Sequence, residues 1–348
     1  MTGTGRPEIY FLKFHFGLPI MPLIENPNRV PQVSSCGEHH MSSTPMGSIG
    51  RGGMVARLDL KWSMLAAVMV LDAVWMIRGR WSIQLESVRT CLLIVLAFAA
   101  PLAFRRIRQH SNAVHFCEAM AFSLLFAKSG AVLSYLVVTT NFPLVDGTLA
   151  AMDKRLGFDW LSYYRSVGAH PYYHRAIRFA YTNMVNEIWF VAAFLSFTGR
   201  LSRLRAFLQL SSVTLLVAIF VSLFFPAASA AKYFQAQTHV GVPGFSQFEP
   251  LRAGTLTTID LNAMQGLVSM PSFHTIMAIL FCWAVRRTPA ALVLIPLNIA
   301  LVLATPTEGG HYLVDVIAGA VVAFCAIAVL DRREAKSVSG LELKQTAA

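Results

Sequence analysis

Eight apolar stretches divide the chain, at about 60–77, 87–104, 114–139, 183–199, 206–225, 271–285, 290–304 and 312–330. Most reach the roughly 17–25 residues that an α-helix needs to cross a bilayer. The hydrocarbon interior offers no water to backbone N–H and C=O groups, so such segments must close their hydrogen bonds internally, as helices do. The expectation is an all-α, polytopic membrane helical bundle with about eight spans. Composition agrees, since 14% of residues are charged, against about 25% in soluble domains. A net charge of +11 would suggest nucleic acid in a soluble protein. Here Lys and Arg fall in the loops, where they set topology and face anionic lipid, and no nucleic-acid partner is expected. Cys91, Cys117, Cys282 and Cys325 lie within apolar runs, without metal-ligand spacing, and read as core or lipid-facing residues.

Residues 1–57 are rich in Pro, Gly, Ser and Asn and read as a disordered cytoplasmic tail. Lys13 and His15 interrupt its only apolar stretch, so no signal peptide is expected, and Met41, Met46 and Met54 offer later starts. Residues 58–112 read as two extra transmembrane helices, 113–331 as a six-helix catalytic core and 332–348 as a cytoplasmic tail. The short Arg-rich loops 105–108, 200–205, 286–287 and 332–333 fall on one side if the spans alternate, and the positive-inside rule makes that side the cytoplasm. The long segments 140–181, 226–269 and 305–311 then face outward. Glu118 and Lys128 lie inside the third run, where charges face a bundle interior or cavity; a structural role is expected. Glu187 is expected to be solvated at a membrane edge. The stretch 140–181 mixes apolar, charged and Tyr positions and suits a helix in the membrane interface, serving as a lid or packing on the bundle.

Two short motifs carry chemistry. Met270-Pro271-Ser272-Phe273-His274 and Gly309-Gly310-His311-Tyr312-Leu313-Val314-Asp315 each mark a helix start, because Pro suits a first helical turn and Gly punctuates the approach. One apolar run lies between them, which puts both starts on one side of a membrane. Helix N-termini carry unpaired N–H groups and suit an anion such as phosphate. His311 and Asp315, four apart, share a helix face, so the Asp can engage one imidazole nitrogen and leave the other as a nucleophile. His274 can act as acid and base.

The pair PSFH and GGHYLVDVIAG resembles the second and third signature motifs of the type 2 phosphatidic acid phosphatase superfamily, most closely the branch that includes the inositol phosphorylceramide synthases. The resemblance covers roughly 115–330. It implies a six-helix phosphatase-type core, a metal-independent and cofactor-free reaction, His311 as the nucleophile that becomes a phosphohistidine, Asp315 as its orienting partner, and His274 as the acid that protonates the leaving group. It implies a phospholipid or polyprenyl phosphate substrate, acted on at the outer face of a bacterial plasma membrane, and phosphate hydrolysis or transfer to an alcohol such as inositol. Three departures stand out. Phe273 replaces the usual Gly of the second motif, Thr305 occupies the place of the third motif's Arg, and the first motif has no clean match, with Lys232 followed by His239-Val240 at that spacing.

A phosphoryl group in transit needs donors and cations for its oxygens. Arg252, in a Leu-Arg-Ala-Gly segment like one that precedes PSFH in the synthase branch, is the first candidate, and Lys232 the second, unless Lys232 only snorkels from a span end. The Ser272 hydroxyl and amide and the Gly310 amide could add hydrogen bonds. A zinc site is not expected, since no third His or Cys lies near and there is no HExxH. A membrane transporter is the reading from a different class; the chain lacks the internal repeat and matched helix breaks that would support it.

Overall fold

The computed structural model describes residues 60–103, 111–238 and 247–346. The expected 1–57 tail, its three Met residues and Arg105, Arg106 and Arg108 lie outside them. Every apolar run forms a helix. In chain order these are α1 (Leu60–Gly79), α2 (Leu85–Ala103), α3 (Ser111–Val138), α7 (Met184–Phe197), α8 (Leu201–Phe224), α11 (Phe273–Val285), α12 (Ala291–Glu308) and α13 (Leu313–Thr346). Between α3 and α7 lie three short amphipathic helices, α4 (Asp146–Arg155), α5 (Trp160–Ala169) and α6 (Pro171–Thr182), and between α8 and α11 lie α9 (Ala230–Thr238) and α10 (Phe248–Arg252). Among the described residues the only extended pairing is a two-residue parallel bridge, β1 (Ser82–Ile83) with β2 (Thr258–Ile259). The protein is an all-α membrane helical bundle. Among the described residues five helices, α1, α3, α8, α12 and α13, are long and apolar enough to cross a membrane; α7 and α11 are apolar but shorter. At 14 and 13 residues these two are about 20 Å long at 1.5 Å per residue. The last helix continues through the stretch expected to be a polar tail.

Charges inside the apolar helices find partners on neighbouring helices or, for Lys128, on the loop before α11, because an unpaired charge in hydrocarbon is costly. Lys61 of α1 pairs with Glu118 of α3 at 2.8 Å. Ser129 of α3 donates to Asp72 of α1 at 2.7 Å. Glu187, expected at a solvated edge, is instead 4% exposed and accepts from Asn298 of α12 at 2.6 Å. Lys128 donates to the Leu261 carbonyl. All of these are cross-bundle clamps.

Hydrogen bonds between loops identify the two ends of the bundle. Arg203 donates to the Arg286 carbonyl at 2.6 Å, which brings two of the Arg-rich loops together. At the opposite end Val145 donates to Pro226 and Ala230 to Gly310, at 2.9 and 2.7 Å, so the long loops before α4, before α9 and before α13 meet there.

Candidate active site

The third motif is built by the end of α12. Pro306 has no N–H for the Val302 carbonyl, and the Thr305 hydroxyl donates to that carbonyl instead, at 2.7 Å. The Thr305 carbonyl then accepts the amides of Gly309 and His311 at 3.1 and 3.3 Å. Thr305 therefore shapes the turn and stands buried, at the position where the resembling family carries a phosphate-binding Arg. Gly310 lies at φ +65°, which glycine adopts freely. A Cβ on Gly309 would stand 2.7 Å from His311 Cδ2, 2.9 Å from the Thr305 carbonyl and 2.9 Å from the Tyr181 hydroxyl, so no larger residue fits without displacement.

The first turn of α13 brings Asp315 beneath His311. Nδ1 of His311 lies 3.4 Å from Asp315 Oδ2, without the alignment of a formed hydrogen bond, and it has no other partner among the described residues. Catalytic contacts are commonly long without substrate and tighten when charge develops. Asp315 is fully buried and already oriented, because Oδ2 accepts the Ser269 hydroxyl at 2.9 Å and the Tyr312 amide at 3.0 Å. Its main chain binds the other motif, with the Ser272 amide donating to the Asp315 carbonyl at 2.9 Å. His274, in the first turn of α11, faces His311 edge-on with ring centroids 6.0 Å apart. His274 makes no hydrogen bond among the described residues, and Tyr181 of α6 stacks on it with centroids 4.4 Å apart and planes 18° apart. Two helix starts thus bring together two imidazoles, one backed by a buried carboxylate, in an arrangement suited to nucleophilic attack and proton transfer.

A profile of the PAP2 superfamily matches residues 147–329. The chain belongs to the PAP2 superfamily. No curated protein and no solved structure matches it. Membership carries phosphatase-type chemistry on a lipid phosphate at a coarse level, in a protein embedded in the membrane.

The expected phosphate ligands of this PAP2 member are placed less uniformly than its histidines. Ser272 is buried and serves as the N-cap of α11, its hydroxyl oxygen accepting from the Thr275 amide at 3.5 Å. With its own amide bonded to Asp315, it is committed to joining α11 and α13. The Gly310 amide donates to none of the described residues. Lys232 does not end a span. It sits on α9, whose first amide binds the Gly310 carbonyl, and its Nζ pairs with Glu249 of α10 at 2.5 Å. Arg252 donates to the Phe142 carbonyl at 3.0 Å and lies over the Phe248 ring, while its Nη1 is buried without a partner. Among the described residues no hydrogen bond or ion pair joins Arg252 or Lys232 to either histidine. Among the described residues no group of three or more His, Cys, Asp or Glu converges as a metal site would need.

Several residues that the motifs did not single out hold the site. Asp146 accepts the amides of Ala228 and Ser229 at 2.9 and 3.2 Å and the Tyr312 hydroxyl at 2.9 Å. Asp153, two turns on, caps α13 from outside by accepting the amides of Leu313 and Val314 at 2.8 and 2.9 Å. The end of α13, expected to offer free amides to phosphate, is therefore already bonded to a protein carboxylate. Burial pushes the Asp153 carboxyl up from its ordinary range, against the pull of those two amides. Leu149 lies between the two acids and is buried with them on one face of α4, so α4 packs on the bundle by that face. The sequence held a signal for this, since acids at positions 146 and 153 share a face with an apolar residue.

Proposed function

We propose that the protein transfers a phosphoryl or substituted phosphoryl group from a membrane lipid through a phosphohistidine. The observation that carries this reading is the meeting of His311, backed by Asp315, with a hydrogen-bond-free His274. Nε2 of His311 attacks phosphorus, the bond from phosphorus to the leaving oxygen breaks, and His274 gives that oxygen its proton. Asp315 holds the Nδ1 proton and stabilises the imidazolium. Water or an alcohol then attacks phosphorus, His274 takes the proton of the incoming oxygen, and the P–N bond breaks. Water as acceptor makes a lipid phosphate phosphatase. An alcohol as acceptor makes a phosphotransferase of the inositol phosphorylceramide synthase kind, favoured by the PSFH form of the second motif. Arg252, Lys232 and the Gly310 amide are the proposed contacts to phosphate oxygens, and the end of the bundle bearing the histidines is proposed to face away from the cytoplasm.

The test is phosphate release by the purified protein in detergent from a panel of lipid phosphates, with and without a chelator, beside His311→Ala. Chelator-resistant release that falls to background in His311→Ala is the expected result. Full activity in that variant would falsify the mechanism. If no lipid yields free phosphate, labelled inositol offered with a phospholipid donor tests transfer, and incorporation lost in His311→Ala supports the alcohol-acceptor form.

A further inference from the structure

Tyr181 is, among the described residues, the aromatic ring stacked on the second-motif histidine, and its setting goes beyond packing. It lies in the last turn of α6, and α6 is locked in place from two sides. Ala180 is fully buried against Ala278 of α11 and Leu301 of α12, and Ile177 is buried against Ala304. Glu308, at the end of α12, binds His174 at 2.6 Å and Arg178 at 3.6 Å. The ring is thus delivered over His274 by a helix packed along α12, with Ala180 reaching Ala278 of α11.

The hydroxyl points the other way, toward the third motif. The point where a Cβ on Gly309 would stand is 2.9 Å from the Tyr181 hydroxyl and 2.7 Å from His311 Cδ2, so the hydroxyl and the edge of the His311 imidazole both pack against Gly309. Among the described residues the hydroxyl has no hydrogen-bond partner. The hydroxyl is therefore free to donate to a ligand. Burial and the nearby Glu308 charge push its pKa up, so it stays a donor. A phosphoryl group on His311 needs donors for its oxygens, and Thr305, whose hydroxyl is bonded to the Val302 carbonyl, supplies none.

We propose that the Tyr181 hydroxyl donates a hydrogen bond to a non-bridging oxygen of the phosphoryl group as it moves to His311, while the Tyr181 ring fixes the imidazole plane of His274. This rests on the phosphohistidine reading. Because the hydroxyl and the ring act separately, Tyr181→Phe removes the first and keeps the second, and Tyr181→Leu removes both.

The experiment uses orthovanadate, a mimic of phosphate in transfer, with the full-length protein in detergent, and measures its affinity by calorimetry for wild type, Tyr181→Phe, Tyr181→Leu and His311→Ala. Thermal unfolding of each variant confirms folding. Tyr181→Phe should bind vanadate about tenfold more weakly and lose 10- to 100-fold in kcat on the substrate found above, with KM little changed and the pH profile unmoved. Tyr181→Leu should lose more and shift the limb of the pH profile that belongs to His274. Wild-type affinity and kcat in Tyr181→Phe, with binding lost in His311→Ala, would overturn the role of Tyr181 and leave the phosphohistidine reading standing. Unchanged vanadate binding in His311→Ala, or no binding by wild type, would overturn both.

Discussion

The carboxylate of Asp153 shows how a single residue far from the motifs can govern them. It closes the N-terminus of α13, and that turn carries His311 and Asp315. Asp153→Ala leaves two amides at a buried helix end without an acceptor, each at a cost of about 1–3 kcal/mol. The expected outcome is a lower thermal midpoint in detergent, together with reduced phosphate release. Asp153→Asn keeps one acceptor oxygen, turns an N–H toward the other amide, and should fall between. An unchanged midpoint in Asp153→Ala would show that water replaces the carboxylate without loss. At this scale the sequence was readable where the chemistry was local. His311 and Asp315 are four apart on one helix, and His274 stands beside the Pro-Ser that starts another. Asp153, Ser269 and Tyr181 act across distances of 160, 46 and 93 residues respectively, and no spacing rule reaches that far. Thr305 was visible as a departure, but its reason was not, because it lies in the carbonyl that Pro306 leaves open.

At the scale of elements, the site depends on how closely α11 and α13 approach. Gly319, two turns into α13, faces the start of α11, and a Cβ there would stand 2.5 Å from the Ser272 carbonyl and 3.2 Å from Thr275 Cβ. The first contact is with backbone, so the helices themselves must separate. Gly319→Ala is expected to cost about 1–3 kcal/mol, as overpacking does. Activity should fall further than that loss of stability explains, because separation widens the gap between His274 and His311. Parallel thermal unfolding and initial-rate measurements check this; a variant with wild-type rate would mean that α11 yields without moving His274. Hydropathy alone revealed the eight apolar helices, since a continuous apolar run has one solution in lipid. It said less about α4, α5 and α6, which are short and amphipathic and whose partners decide their place. The structure packs α4 and α6 on the bundle by what they bury, Asp146 and Asp153 in one case and Ala180 in the other.

The whole molecule has two chemically unlike ends, and their difference predicts its orientation. Arg203 and Arg286 join two cationic loops at one end, while the loops that hold α4, α9 and the third motif meet at the other. Cationic loops are retained in the cytoplasm, so the histidine end is expected outside, where a lipid phosphate in the outer leaflet can enter. Ser202 and Ala253 are both exposed and lie near the cationic end and on the Arg252 loop respectively. In a background without native cysteines, Ala253→Cys should react with a membrane-impermeant maleimide in intact cells, and Ser202→Cys only after permeabilisation. The reverse pattern would place the histidines in the cytoplasm. The chemistry proposed at His311 would survive such a reversal unaltered, because neither imidazole senses which leaflet it faces, but the substrate would then have to be a lipid phosphate exposed to the cytoplasm. Orientation thus decides the pool of substrate, and the meeting of α11 with α13 decides the reaction.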